Sequence, residues 1–385
     1  MKNKSVAINP KMLTWARERA GMHPLTLTKQ FPKLAEWETG ALQPTLRQLE
    51  QFAHAVHAPI GYLFLPQPIQ EVMPITDFRT LADRVVAHPS PNLLDTLYLC
   101  QQRQDWYRDY ARMYAFPVLD FIGSVTTVHD PVAVAEAMRA ALNLSLEERQ
   151  RLPSWTEALR QFIAKAEEAG ILVMASSIVG SNSHRKLDVE EFRGIALADD
   201  LAPLVFLNAA DSKAAQMFTL AHELAHLWLG ASGVSDSETG RLPGQNIECW
   251  CNKVAAELLM PINTMRAVHQ PDAPVADEIQ RLAQIFKVST LVALRRLFDA
   301  GCIDKAELWR SYQQELARIR ALERGGKGGG DFYRTLGART GKRFARAMLA
   351  SAMEGQTLFR DAFRLLGVKK SATLYNAARE LGVMP

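Results

Sequence analysis

Residues 219–230 read TLAHELAHLWLG, and they set three ionisable side chains, His222, Glu223 and His226, among apolar neighbours that include Phe218, Ala221, Leu224, Ala225, Leu227 and Trp228. Such a run is expected to form a buried helix, and polar groups taken out of water need partners. Two histidines four residues apart stand one turn apart on the same helix face. Each can offer a neutral imidazole nitrogen to one tetrahedral ion at about 2.0–2.1 Å. Glu223, beside the first histidine, is placed to take a proton from a water at that ion. The plainer alternative is a pair of hydrogen-bonded core histidines.

A catalytic zinc ion needs a third protein ligand and one open position. The segment IECWCNKVAAELLM, a predicted helix ending before Pro261, supplies Glu248 and Glu257. They are nine residues apart in the sequence. At about 100° per residue they point to opposite sides, so only one can face the histidines. Glu248 shares its flank with Asn252, Ala255 and Leu259, whereas Glu257 follows Lys253 by four residues, where a surface ion pair accounts for it. Glu248 is therefore the preferred third ligand. Cys249 and Cys251 have the right chemistry for zinc but are expected to fill core space. The expectation is one Zn2+ per chain, with His222, His226 and Glu248 as ligands and Glu223 as the catalytic residue. His184, Arg185 and Arg193 lie in or near the preceding loop and strand, where an oxyanion helper is expected. Each fits a surface role better, and none is assigned as catalytic.

The expected fold class is mainly α with a small β-sheet (α+β), in a multi-domain chain. The length of 385 residues is too great for one small core. PKMLTWARERAG and TLRQLEQFAHAVHAP have helical spacing and helical stops. PQPIQEVMPITDFRT reads as a connection. Helical stretches follow at 93–113 and 131–149, then a capped helix in SWTEALRQFIAKAEEAG. ILVMASSIV, FRGIALA and PLVFLN read as strands of one small sheet, with PLVFLN a candidate edge strand for an extended substrate. ASGVSDSETGRLPGQN reads as a polar loop. EIQRLAQIFKVSTLVALRRLFDAG predicts two helices around KVS, followed by a long helix near 304–322. RGGKGGG predicts a flexible joint. The expected domains are 1–67, a helical connection at 68–150, a peptidase-like core at 151–270, a helical segment at 271–322, a linker at 323–330 and a basic helical domain at 331–385.

The net charge of +4 conceals a gradient. Residues 1–67 carry eight Lys/Arg against four Glu, residues 301–385 carry sixteen basic against eight acidic, and the middle is acidic. Basic ends suit nucleic acid or an acidic protein. The absence of a long apolar run argues against a membrane span, and the N-terminus lacks a signal-peptide core. With four cysteines in no disulfide framework, a cytoplasmic location is expected.

FTLAHELAHLWLG followed by ECWCNKVAAELLMP is similar to the ImmA/IrrE family of metallopeptidases, over about residues 203–261. The resemblance implies zinc ligation by His222, His226 and Glu248, with Glu223 as general base. It also implies site-specific cleavage of a repressor or antitoxin-like protein in a mobile-element, stress-response or toxin–antitoxin setting. MLTWARERAG together with EWETGALQPTLRQLEQFAHAVHAPIGYLF resembles the helix-turn-helix domain of Xre/Cro-type repressors. Here the interval from Gly21 to Trp37 is about four residues shorter than the usual pattern, and Lys29, Gln30 and Lys33 are the obvious base-reading candidates. LAQIFKVSTLVALRRL is a second helix-turn-helix-like pattern whose Arg295 and Arg296 either touch phosphate or face water. The tail has a basic face of Arg339, Lys342, Arg343 and Arg346. These features keep a second expectation open: an Xre-type regulator or antitoxin that grips a toxin or DNA, through residues 1–67 or 271–300, with a vestigial or structural metal site.

Overall fold

A computed structural model describes residues 5–69, 71, 73–77, 89–235, 246–323 and 332–384. The glycine-rich RGGKGGG joint and most of the polar loop before Gln245 lie outside the described residues. The chain forms two compact units, Met1–Pro74 with Leu81–Thr96, and Ile75–Thr80 with Leu97–Pro385.

The smaller unit contains α1 (Pro10–Arg19), α2 (Pro24–Leu27), α3 (Leu34–Glu38), α4 (Leu46–Ala55) and a 3-10 turn at Ile60–Phe64. Pro10 opens α1 where its missing N–H costs nothing, and the Asn9 side chain caps the same turn. Thr45 and Gln48 form a reciprocal capping box at the start of α4. Leu13, Phe31, Trp37, Leu49, Phe52 and Val56 make the core. α2 and α3 are only four and five residues long. Lys29, Gln30 and Lys33 are exposed between them, and the exposed positions of α3 itself are Ala35 and Glu36.

The larger unit is mainly helical around a small mixed sheet, as the fold class required. Its elements begin with β1 (Thr76–Asp77), α5 (Pro91–Met113, which starts in the smaller unit), α6 (Pro131–Ala141), α7 (Leu146–Arg151) and α8 (Trp155–Glu168). Next come β2 (Leu172–Ser176), β3 (Gly194–Leu197), β4 (Leu204–Asn208), α9 (Lys213–Trp228), β5 (Gly233–Ser235) and α10 (Asn246–Leu259). Then follow α11 (Ile262–Val268), α12 (Val275–Phe286), α13 (Thr290–Asp299), α14 (Lys305–Glu323), α15 (Phe332–Thr340), α16 (Lys342–Met353), α17 (Phe359–Leu366) and α18 (Ser371–Glu380). No helix among the described residues is long and apolar enough to cross a membrane.

The strand order is β1-β5-β3-β4-β2, with β3 antiparallel to both neighbours and the outer pairs parallel. Two sequence expectations change here. β4, the PLVFLN segment, is an interior strand rather than an edge, flanked on both sides by β3 and β2. All five of its residues are buried, so both of its faces are covered. The connection PQPIQEVMPITDFRT and the polar loop each contribute a strand, β1 and β5, of two and three residues.

The edge at β2 is covered by the C-terminal helices. α15 and α16 pack on it, and a Cβ on Gly341 would come within 2.8 Å of the Val173 carbonyl oxygen. Arg343 donates from its backbone N–H to Glu167 Oε1 at 3.0 Å and from Nη1 to the Glu167 carbonyl at 2.9 Å. The fully buried Arg103 of α5 donates to the carbonyls of Leu365 and Arg339 at 3.0 and 3.3 Å. A bare edge strand is an aggregation hazard, and this cover removes it.

α9 lies on the sheet, with α8 and α10 against it. From Gln216 to Trp228 each of its residues is buried. α10 stops before Pro261, and its last carbonyls would be orphaned inside the protein. Three arginines satisfy them. Arg139 Nη1 donates to Glu257 O at 2.8 Å, Arg296 Nε donates to Met260 O at 2.9 Å, and Arg149 Nη2 donates to Leu259 O. Positive charge at a helix C-terminus is favourable in its own right.

Candidate metal centre

The Ser212 hydroxyl caps α9, accepting from Ala215 N at 3.2 Å. The helix then runs unbroken to Trp228, which brings His222, Glu223 and His226 under the sheet. α10 crosses α9 and places Glu248 opposite the two histidines. His222 Nε2 and His226 Nε2 are 3.1 Å apart, and their distances to Glu248 Oε2 and Oε1 are 3.2 and 3.0 Å. Among the described residues these three side chains form the group whose ligand atoms converge closely enough to share an ion.

The spacing fits a first-row metal. Ligands at about 2.0–2.1 Å around a tetrahedral zinc lie roughly 3.3 Å from one another, close to the separations observed. His222 Nδ1 lies 3.0 Å from Asn252 Oδ1. With that amide oxygen as acceptor, Nδ1 holds a proton, so Nε2 is the ring nitrogen left to give up its proton and bind a metal. The two imidazoles are 0% and 1% exposed, whereas the Glu248 side chain retains 14%, so the group is approached from the α10 side.

The local electrostatics follow from this crowding. Burial would raise the Glu248 carboxyl, but His222 and the hydrogen bonds from both rings hold it down at about 2. Burial pulls His222 down, yet Glu248 outweighs it and the net shift is upward. At His226 burial prevails and the shift is downward. Burial drives Glu223 up to about 7 against the pull of His222 and of the Ser235 hydroxyl.

Glu223 has its own seat. Gly194 of β3 and Ser235 of β5 are cross-strand partners. Ser235 Oγ donates to Glu223 Oε1. A Cβ on Gly194 would overlap the carboxylate, reaching 2.7 Å from Cδ and 2.8 Å from Cγ. Glu223 Oε2 is buried with no hydrogen-bond partner. An orphan acceptor of this kind, beside a convergent His-His-Glu group, suits a metal-bound water, which could donate to it.

The remaining candidates fall elsewhere. Glu257 is buried rather than on the surface, and its partner is Arg296 of α13, not Lys253. Its Oε1 also accepts from Ile262 N at 3.2 Å. Arg296 accordingly neither touches a phosphate nor faces water, being 5% exposed. Arg295 pairs with Asp299 at 3.0 Å. Cys251 is fully buried and Cys249 partly so, and neither joins the His-His-Glu group. Arg193 is tied to Asp211, and His184 is exposed in its loop. Sequence reasoning missed Gly194 and Ser235, which carry no local signal. It noted Asn252 only as a neighbour of Glu248, although its position one turn later on the same face marks it as a partner.

Comparison with known proteins agrees with the geometry. Residues 166–298 match the Peptidase_M78 family, described as the IrrE N-terminal-like domain. Residues 340–380 match a domain of unknown function, DUF8813. A stretch of 101 residues is 33% identical to the radiation response metalloprotease IrrE of Deinococcus radiodurans, covering 25% of this chain and 31% of that protein. The chain thus spans about a third of the length of the curated relative it matches. Residues 166–298, which match the IrrE N-terminal-like domain, hold all four side chains of the site.

Proposed function

We propose that this chain is a zinc-dependent endopeptidase, with one Zn2+ held by His222, His226 and Glu248 and with Glu223 as general base. The observation that carries the reading is the approach of two imidazole Nε2 atoms and a carboxylate to within 3.2 Å of one another, next to a buried glutamate on the same helix. A bound zinc ion supplies a Lewis acid that polarises a peptide carbonyl and acidifies a water. Asn252 and Glu248 orient the rings. Ser235 and the space over Gly194 fix the Glu223 carboxylate, which takes the proton of the attacking water and returns it to the leaving amine. Burial raises the Glu223 carboxyl in the metal-free protein, which favours its holding a proton. A structural zinc site would have no use for Glu223 and would fill its fourth position with protein.

The substrate class we infer is a regulatory protein, of the repressor or antitoxin-like kind, in a mobile-element, stress-response or toxin–antitoxin setting. That inference rests on the resemblance to the ImmA/IrrE family and on the N-terminal segment resembling Xre/Cro-type domains. The second reading, a regulator that holds a toxin or DNA, is favoured by the exposed Lys29, Gln30 and Lys33 between α2 and α3. It is weakened by the acidic Glu36 on the exposed face of α3. In residues 271–300 it is weakened by Arg295 and Arg296, which are committed to Asp299 and Glu257.

Glu223→Gln is the deciding variant. It is expected to bind zinc normally and to leave a candidate partner uncut on mixing, as followed by mass spectrometry. Full biological activity of that variant would remove the peptidase reading.

A further inference from the structure

The last helices of the larger unit hold a feature that the metal site does not use. α17 and α18 both pack on α16, around Phe344, Met348, Leu365, Leu366, Leu374 and Ala378, all buried. α17 is eight residues and α18 ten. Between them Gly367 adopts φ +68°, a left-handed conformation that ends α17. Val368 then turns inward at 5% exposure, and the exposed Lys369 and Lys370 lead into α18. α17, the turn at Gly367 and Val368, and α18 follow one another on a supporting α16, which is the order of elements a helix-turn-helix uses.

The second helix presents the side chains such a unit uses. Leu374, Ala377 and Ala378 face inward, while Tyr375, Asn376 and Arg379 are exposed. Arg379 Nη1 lies 3.4 Å from Asn376 Oδ1, so an amide and a guanidinium are offered side by side. These are the side chains that read adenine and guanine edges in a major groove. Residues 358–384 carry five basic side chains, Arg360, Arg364, Lys369, Lys370 and Arg379, against Asp361 and Glu380. All five basic ones are exposed, with Arg360 and Arg364 each 3.8 Å from Asp361 and Lys369 and Lys370 beside the turn. α13, by contrast, buries Arg296.

We propose that α17 and α18 bind duplex DNA. α18 enters the major groove through Asn376 and Arg379, and Arg360, Arg364, Lys369 and Lys370 lie along the phosphates. This assignment is independent of the peptidase chemistry.

Fluorescence anisotropy of the full chain with a labelled mixed-sequence duplex of about 30 base pairs, between about 50 and 200 mM salt, tests it. Log Kd is expected to rise linearly with log salt. The double substitution Lys369→Glu, Lys370→Glu is expected to weaken binding by about tenfold or more and to reduce the salt slope by about 2. The milder pair Lys369→Gln, Lys370→Gln should shift both in the same direction, and zinc content should stay at the wild-type value in each. Arg379→Ala is expected to relax the sequence preference found by selection from random duplexes. Failure of the wild-type chain to bind the duplex overturns the proposal. So does affinity that survives both double substitutions but is lost on Lys29→Glu, Lys33→Glu. Equal binding of single strands of the same length overturns the duplex assignment.

Discussion

Gly194 and Ser235 face each other across β3 and β5, and between them they seat the carboxylate of Glu223. The glycine supplies room and the serine supplies a donor, so the proposed general base, on a helix, is positioned by two strands. Gly194→Ala is expected to push Glu223 off this seat and to cost roughly 1–3 kcal/mol through overpacking. Ser235→Ala removes the donor from a buried carboxylate, also at roughly 1–3 kcal/mol, and should leave the three ligands in place. The check has two parts. Zinc content should hold for Ser235→Ala while the catalytic rate falls, and thermal denaturation should register both changes. Full cleavage activity in Gly194→Ala would remove the seat from the mechanism.

The His-His-Glu group should hold about one zinc per chain, and His222→Ala should lose it. Binding should also release protons. Glu248 holds His222 above its ordinary value, so part of the protein carries a proton that the metal must displace. The sign follows directly: as pH falls through the raised His222 value, protons compete better and zinc affinity drops. The drop begins above about pH 6.5, the ordinary histidine value. Calorimetric titrations in two buffers of different ionisation enthalpy measure the protons released, and an affinity independent of pH between about 6 and 8 would contradict this picture.

Much of this was legible in the residues. α9 and α10 show helical periodicity, with a serine cap and a proline stop, and the His-Glu-x-x-His spacing placed the two histidines on one face. The nine-residue separation of Glu248 and Glu257 correctly showed that only one faces the histidines. β1 and β5 were not legible because two or three residues carry no periodicity, and those strands exist only through pairing with the sheet. β4 was misassigned to an edge because a run of apolar residues, Leu204 to Leu207, marks a strand covered on both faces but does not say which strands flank it. Glu257 was paired with the wrong partner because a helix offers neighbours at three and four residues, while Arg296 lies 39 residues away along the chain.

That distant pair is itself testable. Glu257 and Arg296 are each 6% exposed in their side chains, and Arg296 also donates to the Met260 carbonyl at the end of α10. Removing one partner leaves a buried charge without compensation, a loss of about 3–5 kcal/mol. Glu257→Gln and Arg296→Met should each lower the urea midpoint strongly. The double variant should recover part of the loss but stay below wild type, because Met260 O remains without its donor. A double variant whose loss equals the sum of the two single losses would mean that the pair does not interact.

The cysteines give a chemical measure of the core. Cys100 is 1% exposed, and burial pushes its thiol up to about 12 despite the neighbouring Arg103. Cys251 is fully buried and is likewise raised by burial. A thiol reacts through its thiolate, so both should resist a thiol-specific reagent in the native protein at neutral pH. Cys302 is exposed and should react quickly, with the half-buried Cys249 following more slowly. All four should react once the chain is unfolded. Time-resolved labelling with peptide mapping separates the sites, and rapid modification of Cys251 in the native state would show that α10 does not hold the packing against α9 on which the position of Glu248 depends.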